Sequence, residues 1–240
     1  FPQSFEYASL GGYAATRSSG QASRGFGRFD DLLHGMRVAT PVGDIDLGRA
    51  PASAAGPDLR QVFLGSEGAF GVITEVVVRI RPLAAVRGYG AWSFPTFESG
   101  ATALRVVTQA GLRPTVLRLS DESETRVNAA LGAHLRTMRG ALAIATFEGA
   151  SQQEVDAVAT ATAAIFRAHG AKARGEDRAR SWERGRFHSP ALRDTLLDAG
   201  VLAETLETAT TWSALPELYA RVSAALTAAL TAEGTPPVIM

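Results

Sequence analysis

Three glycines in seven residues, Gly65-Ser66-Glu67-Gly68-Ala69-Phe70-Gly71, lead directly into the clearest strand pattern of the chain. Glycine gives up more conformational freedom on folding than any other residue, so a run this rich in it marks turns rather than a regular element. Beyond it the side chains alternate. Val72, Thr74, Val76, Val78 and Ile80 are expected on one face, Ile73, Glu75, Val77, Arg79 and Arg81 on the other, and Pro82 ends the run. The order loop-then-strand excludes the dinucleotide fingerprint, in which a strand precedes the glycines and a helix follows. With no Gly-Lys-Ser/Thr after it, the segment is not a Walker loop either. On its own it fits a tight loop entering a buried strand as well as a ligand-binding loop.

A second small-residue segment lies upstream, Ser9-Leu10-Gly11-Gly12-Tyr13-Ala14-Ala15-Thr16-Arg17-Ser18-Ser19-Gly20. Its glycines would let the backbone approach a ligand, and amides at a helix start favour anions. The hydroxyls of Ser9, Thr16, Ser18 and Ser19 could bond a phosphate or a ribityl chain. A Gly/Ser surface turn accounts for the same residues. Composition narrows the chemistry. The 240 residues carry no net formal charge, which gives no electrostatic footprint for nucleic acid or an anionic membrane. There is no cysteine, so disulfides, thiolate catalysis and cysteine–zinc sites are excluded. His34, His134, His169 and His188 show no metal-binding spacing, and no metal site is expected. No apolar run reaches the roughly 18 residues needed to span a bilayer.

The remaining pattern is that of a folded chain, with 46% hydrophobic and 20% charged residues. Residues 32–40 read as a strand, Pro41-Val42-Gly43 as a turn, and Asp44–Leu47 as the return strand of a hairpin. Asp58 can cap a short helical turn over Leu59–Leu64. From about residue 85 the grammar changes. Strands are expected at Val86–Phe94, Arg113–Leu119, Ala141–Phe147 and Val201–Thr211. Helices are expected over Thr96–Ala110, from a Ser151/Glu154 capping box to Gly170, over 189–198, and along the apolar stripe Leu215–Leu230. Strands alternating with helices imply a sheet with helices packed on it. The boundary is placed near residues 82–86.

The two glycine-rich segments, in this order and with this gap, resemble the vanillyl-alcohol-oxidase (PCMH-type) FAD-binding flavoproteins, and among them the alkyldihydroxyacetonephosphate (alkylglycerone-phosphate) synthase family. The resemblance runs through Ser4–Tyr13, Ala15–Gly20, Gly27–Leu32, Thr40–Gly43 and Gly65–Glu75. It continues in Arg118-Leu119-Ser120-Asp121, Phe147-Glu148-Gly149, Gly175-Glu176-Asp177, Leu192-Arg193-Asp194 and Glu204–Thr208. It implies an α+β architecture. Residues 1–84 would be the second half of a two-subdomain α/β FAD-binding domain, and residues 85–240 a substrate-binding cap of antiparallel sheet with packed helices. It implies that Ser4, Ser9, Thr16, Arg17, Ser18 and Ser19 line FAD, with Glu67, Gly68, Ala69, Phe70, Gly71, Val72 and Ile73 supplying backbone contacts. Gln3 and Ala8 depart from the family's usual aspartate and serine. Arg193 matches an active-site arginine of the family, where a guanidinium fork suits a phosphate or developing anion. Arg118 matches a second important arginine, expected to be a structural support.

The activity implied is exchange of the acyl group of acyl-dihydroxyacetone phosphate for a fatty alcohol, giving an ether-lipid precursor without net redox change. Two other readings stay open: an FAD-linked oxidase or dehydrogenase of a hydroxy acid or alcohol, and a non-catalytic remnant binding module. The expected partner is a small lipid-like or hydroxy-acid substrate, with neither nucleic acid nor a transmembrane segment. A homodimer is a candidate assembly, and the cytoplasm, with attachment to a membrane surface as a variant, the candidate location. Both ends of the chain read as cut. The family's upstream pyrophosphate loop and its downstream tyrosine and histidine cluster are not among these 240 residues, so the piece by itself is expected to be incomplete and inactive.

Overall fold

In the computed structural model, residues 5–48, 50, 52–131, 139–187, 189–235 and 237–240 are described. The first part holds α1 (Leu10–Ala15), α2 (Ser23–Phe26), α3 (Phe29–Leu32), β1 (Leu33–Thr40), β2 (Gly43–Leu47), α4 (Arg60–Phe63) and β3 (Val72–Val78). Its three strands form an antiparallel sheet of order β2-β1-β3. The hairpin turns through Pro41-Val42, with Thr40 paired to Gly43. Ala14, Leu33, Met36, Val38, Phe63 and Leu64 form the core on one face, with Ile73 and Val76 packed against them.

The alternation expected along β3 is broken by a bulge. Arg37 pairs with Glu75, but the next residue, Val38, pairs with Ile73, leaving Thr74 as an extra residue. The bulge puts Ile73 and Val76 on the same, core-facing side. Val72 and Val77, expected on opposite faces, both point outward at 66% and 61% exposure. Pairing also ends at Val78, short of Ile80, which is 87% exposed. The apolar run Val76-Val77-Val78 reads equally well in either register, which hides the bulge from a sequence pattern.

The second part contains β4 (Val86–Phe94), α5 (Phe97–Gln109), β5 (Val116–Ser120), α6 (Glu122–Leu131), β6 (Ala141–Gly149), α7 (Gln152–Ala168), β7 (Lys172–Ala173), α8 (Asp177–Gly185), α9 (Ser189–Asp198) and α10 (Leu215–Ala232). The sheet order is β5-β6-β4-β7 with every neighbour antiparallel. With α5 and α7 this is a βαββαβ, ferredoxin-like unit, into which α6 is inserted between β5 and β6. Helices start where short hydroxyl side chains cap them. Thr96 accepts from the Ser99 amide at 3.2 Å and Ser151 from the Glu154 amide at 3.3 Å. The reciprocal half of the expected capping box lands one residue early, with the Glu154 carboxylate accepting from the Ala150 amide at 2.9 Å.

Both faces of this sheet are covered. Trp92, Phe94, Ala141, Ala143, Ala145 and Phe147 meet α5 and α7 through Ala103, Val107, Val155 and Phe166. On the other face Ala91, Leu142 and Ile144 meet Ala179 and Trp182 of α8. The strand expected over Val201–Thr211 does not form. These residues join no sheet, with Leu202 77% and Leu206 72% exposed. Threonine-rich sequence favours a strand only where a half-buried pleated surface is available to fit it. The α6 helix is not expected from the sequence pattern. Asp121 caps it, accepting from the Glu124 amide at 2.7 Å, and also receives the Tyr219 hydroxyl of α10 at 2.6 Å. The Tyr219 ring stacks on Phe97 at 4.6 Å, and burial together with the Asp121 carboxylate pushes its phenol well above the usual range.

Phe166 is the centre of the larger core, fully buried and edge-on to Trp92 at 5.0 Å and Phe94 at 5.2 Å. Phe166→Ala is expected to cost about 3–5 kcal/mol by lost burial and the cavity left behind. Equilibrium urea unfolding should show this as a lowered midpoint with unchanged slope.

Candidate functional site

The two glycine-rich segments meet at the end of α1. Ser9 caps the start of this helix, its hydroxyl accepting from the Gly12 amide at 3.0 Å. At its far end the chain closes in a Schellman turn, Ser18 N to Tyr13 O at 2.9 Å and Arg17 N to Ala14 O at 3.2 Å. The last carbonyls of a helix have no partner within it. Here the second segment supplies them, Gly65 N to Ala14 O at 3.3 Å and Glu67 N to Ala15 O at 3.0 Å. The helix also lies directly on β3, since a Cβ on Gly11 would sit 2.7 Å from the Ile73 carbonyl oxygen.

This contact assigns different work to different glycines. Gly11 permits helix–strand contact, and Gly71, with φ +151, leaves no room beside the Ala39 carbonyl at 2.6 Å. Both allow close backbone contacts that a side chain would block. Gly68, with φ +88, faces open space, and a Cβ there would meet nothing within 4 Å. The Glu67 and Ala69 amides are already bonded, to Ala15 O and to Ser66 O at 2.9 Å. Those two amides are therefore committed within the protein.

The hydroxyls cluster as the sequence suggests. Thr16 Oγ1 donates to Gly12 O at 3.0 Å and lies 2.8 Å from Ser18 Oγ, while Ser19 is exposed. With the Thr16 proton given to Gly12, Ser18 gives its own to Thr16, so this pair is left with acceptor capacity. Ser9 keeps its O–H. On the same segments Leu10, Phe70 and Val72 expose more than half their surface. Hydroxyls beside exposed apolar side chains suit a ligand that brings its own hydroxyls and a flat ring, and FAD, with its ribityl chain and isoalloxazine, has both. Ser4 lies outside the described residues.

Arg17 is held by its neighbours. Its guanidinium donates to Leu64 O at 3.1 Å, to Asp30 Oδ2 at 2.9 Å, and to Gln61 O and Oε1 at 3.2 and 2.9 Å. Gln61 was not singled out in the sequence, where 44 positions separate it from Arg17. Arg193 lies on α9, exposed and in a loose 3.6 Å ion pair with Glu204. Arg118 is ion-paired with Glu124 at the start of α6. The two parts of the chain touch beside the first loop. Gly25 N donates to Thr115 O at 3.1 Å, Arg24 to Leu112 O at 2.8 Å, and the Phe5 ring meets Phe187 at 5.1 Å.

Residues 83–234 match the family described as FAD linked oxidases, C-terminal domain. The chain belongs to this family. An alkyldihydroxyacetonephosphate synthase from Trypanosoma brucei brucei is 32% identical over 251 residues, an alignment covering 93% of this chain and 41% of that protein. A solved alkyldihydroxyacetonephosphate synthase structure superposes with a TM-score of 0.83 at 28% identity, over 98% of this chain and 46% of the other. A mitochondrial cytochrome-type D-lactate dehydrogenase from Arabidopsis thaliana is 35% identical over 131 residues, 53% of this chain and 23% of that relative. The chain thus spans less than half the length of each of these three proteins. Family membership makes FAD the cofactor. Among the described residues no three histidine or acidic side chains are grouped to hold a metal ion, and no helix is long and apolar enough to cross a membrane.

The contact of α1 with β3 is open to test. Gly11→Ala should destabilise the fold by about 1–3 kcal/mol, because the added methyl pushes the helix from the Ile73 carbonyl. Gly68→Ala adds the same methyl into open space and isolates the cost of its positive φ, about 1 kcal/mol. Urea unfolding of both variants should rank them in that order.

Proposed function

We propose that this chain is part of an FAD-dependent enzyme of the alkyldihydroxyacetonephosphate synthase type, exchanging the acyl group of acyl-dihydroxyacetone phosphate for a fatty alcohol. Residues 1–84 are the C-terminal part of its FAD-binding domain and residues 85–240 its substrate-binding cap. The supporting observation is continuity. Similarity to the synthase runs through both parts in one alignment covering 93% of the chain, whereas similarity to the D-lactate dehydrogenase covers 53%. The half-chain match is the observation behind a second reading, an FAD-linked dehydrogenase of a hydroxy acid.

In the proposed site the hydroxyls of Ser9, Thr16, Ser18 and Ser19 and the main chain of residues 67–73 hold FAD. When bound, the flavin supplies an electron-accepting ring, chemistry that belongs to the cofactor. The protein orients the substrate against it. Arg193 is assigned to the anionic part of the substrate or leaving group, and its exposed, loosely paired guanidinium is free to exchange Glu204 for such a ligand. Asp194 points elsewhere, because neighbours on a helix do not share a face.

Full-length protein loaded with FAD should form an ether product from acyl-dihydroxyacetone phosphate and a fatty alcohol, detected by mass spectrometry. Reduction of an electron acceptor by D-2-hydroxy acids, without ether formation, would replace this reading with the dehydrogenase. Neither activity, with no flavin absorbance, would leave the non-catalytic module. Arg193→Lys keeps the charge but loses the planar fork. It should lower kcat/KM by an amount corresponding to about 2–4 kcal/mol with flavin content unchanged. Normal turnover would make Arg193 structural.

A further inference from the structure

We infer that Arg17 is a positioning residue of the cofactor site, acting through the two loops it joins rather than by touching FAD; the inference rests on the cofactor-site reading above. Arg17 occupies the C′ position of the Schellman turn that ends α1, with φ +49. That position favours glycine, and any other residue there is strained. What offsets the strain is the side chain. An arginine has five N–H donors, and four of those of Arg17 are used, on Leu64 O, Asp30 Oδ2, Gln61 O and Gln61 Oε1. The acceptors lie on two separate segments, one just after the first loop and one just before the second. The guanidinium therefore sets the distance between the hydroxyls of residues 16–19 and the backbone of residues 65–73.

Two further observations fit this role. Gly65 leaves the space that the arginine crosses, since a Cβ there would sit 2.9 Å from Arg17 Nε. Asp30 is the anchor. Its side chain is only 6% exposed, and its Oδ2 accepts from both Arg17 and Arg28, the latter at 2.7 Å. A buried carboxylate of this kind is costly unless its cationic partners stay in place. Lysine could not substitute for Arg17, because a single ammonium cannot reach acceptors on both segments in the plane of a fork.

The sign of one isosteric change separates positioning from direct contact. FAD is anionic. If Arg17 bound its diphosphate directly, Asp30→Asn would release the guanidinium from a competing charge and leave FAD affinity unchanged or tighter. If Arg17 positions the loops, Asp30→Asn loosens the staple and weakens FAD. Titration of FAD into apo full-length protein, followed by flavin absorbance and circular dichroism, should give at least about tenfold weaker binding for Asp30→Asn, Arg17→Lys and Arg17→Gly. Arg17→Gly gives the turn the residue its φ prefers, so its loss reflects the guanidinium and not a broken helix end. Arg17→Gly combined with Asp30→Asn should bind about as weakly as either alone.

Tighter or unchanged FAD binding by Asp30→Asn overturns the inference. So does a lowered urea midpoint in all three single variants with wild-type FAD affinity, which would make the network a stability device only. Wild-type protein that takes up no FAD overturns the cofactor site together with this inference, and so is distinct from either result.

Discussion

The structure around the candidate site depends on a six-residue helix whose last carbonyls are satisfied by a loop far along the chain. A helix this short has no stability of its own, since nucleation costs more than one and a half turns of hydrogen bonds return. It persists because Gly65 and Glu67 cap Ala14 and Ala15, and because Gly11 lets it rest on the Ile73 carbonyl. The contacts are reciprocal. The second loop has no regular structure between α4 and β3, and α1 gives its amides their acceptors. Neither glycine-rich segment is a separate motif in the folded molecule, and the pair is one structural unit closed by Arg17.

The β-sheet beneath carries this unit through a register change. By skipping Thr74, β3 turns Ile73 and Val76 toward the same core as Ala14 and Val38, and the Ile73 carbonyl meets Gly11. Strict alternation would have split Ile73 from Val76. On the outer face Arg37 bridges Asp46 and Glu75 at 2.8 and 2.7 Å, contacts exposed enough that each contributes little beyond fixing register.

Where periodicity is strong and local, the sequence was a sufficient guide. The hairpin at Pro41, the helices from Thr96 and Ser151, and the buried face of α7 follow from side-chain pattern and capping chemistry. The hydroxyl cluster was legible because Thr16 and Ser18 are only two positions apart in sequence. Two kinds of feature were not legible. One depends on a partner far along the chain. The acceptors of Arg17 at Gln61 and Leu64, and the cap that Asp121 gives to α6 while holding Tyr219, are set by tertiary contact. The other depends on a surface being present. Residues 201–211 have strand-forming composition and no sheet edge to join. The individual roles of Gly11, Gly68 and Gly71 belong to the first kind, because composition marks all three alike and only the neighbouring atoms separate packing from openness.

The first loop is also tied to the second sheet, and the route is main chain. Thr115 N donates to Thr146 O at 2.8 Å, and Thr115 O accepts from Gly25 N at 3.1 Å, so α2 continues a hydrogen-bond row that begins in β6. A Cβ on Gly25 would fall 2.6 Å from Thr115 Cα, which leaves no slack in the contact. From α2 the row reaches the hydroxyl loop itself. Gly20 N donates to Ser23 Oγ at 2.8 Å, Ser23 N to Gly20 O at 2.9 Å, and Phe29 N to Ser18 O at 3.0 Å. Residues 18–20 are thus held by α1, by α3 and, through α2, by the sheet of the second part. Backbone hydrogen bonds fix position without long side chains to order, so the row holds the hydroxyl loop against the residues that lead into β5. Glycine at position 25 is what lets α2 come this close to Thr115 at the edge of the second sheet.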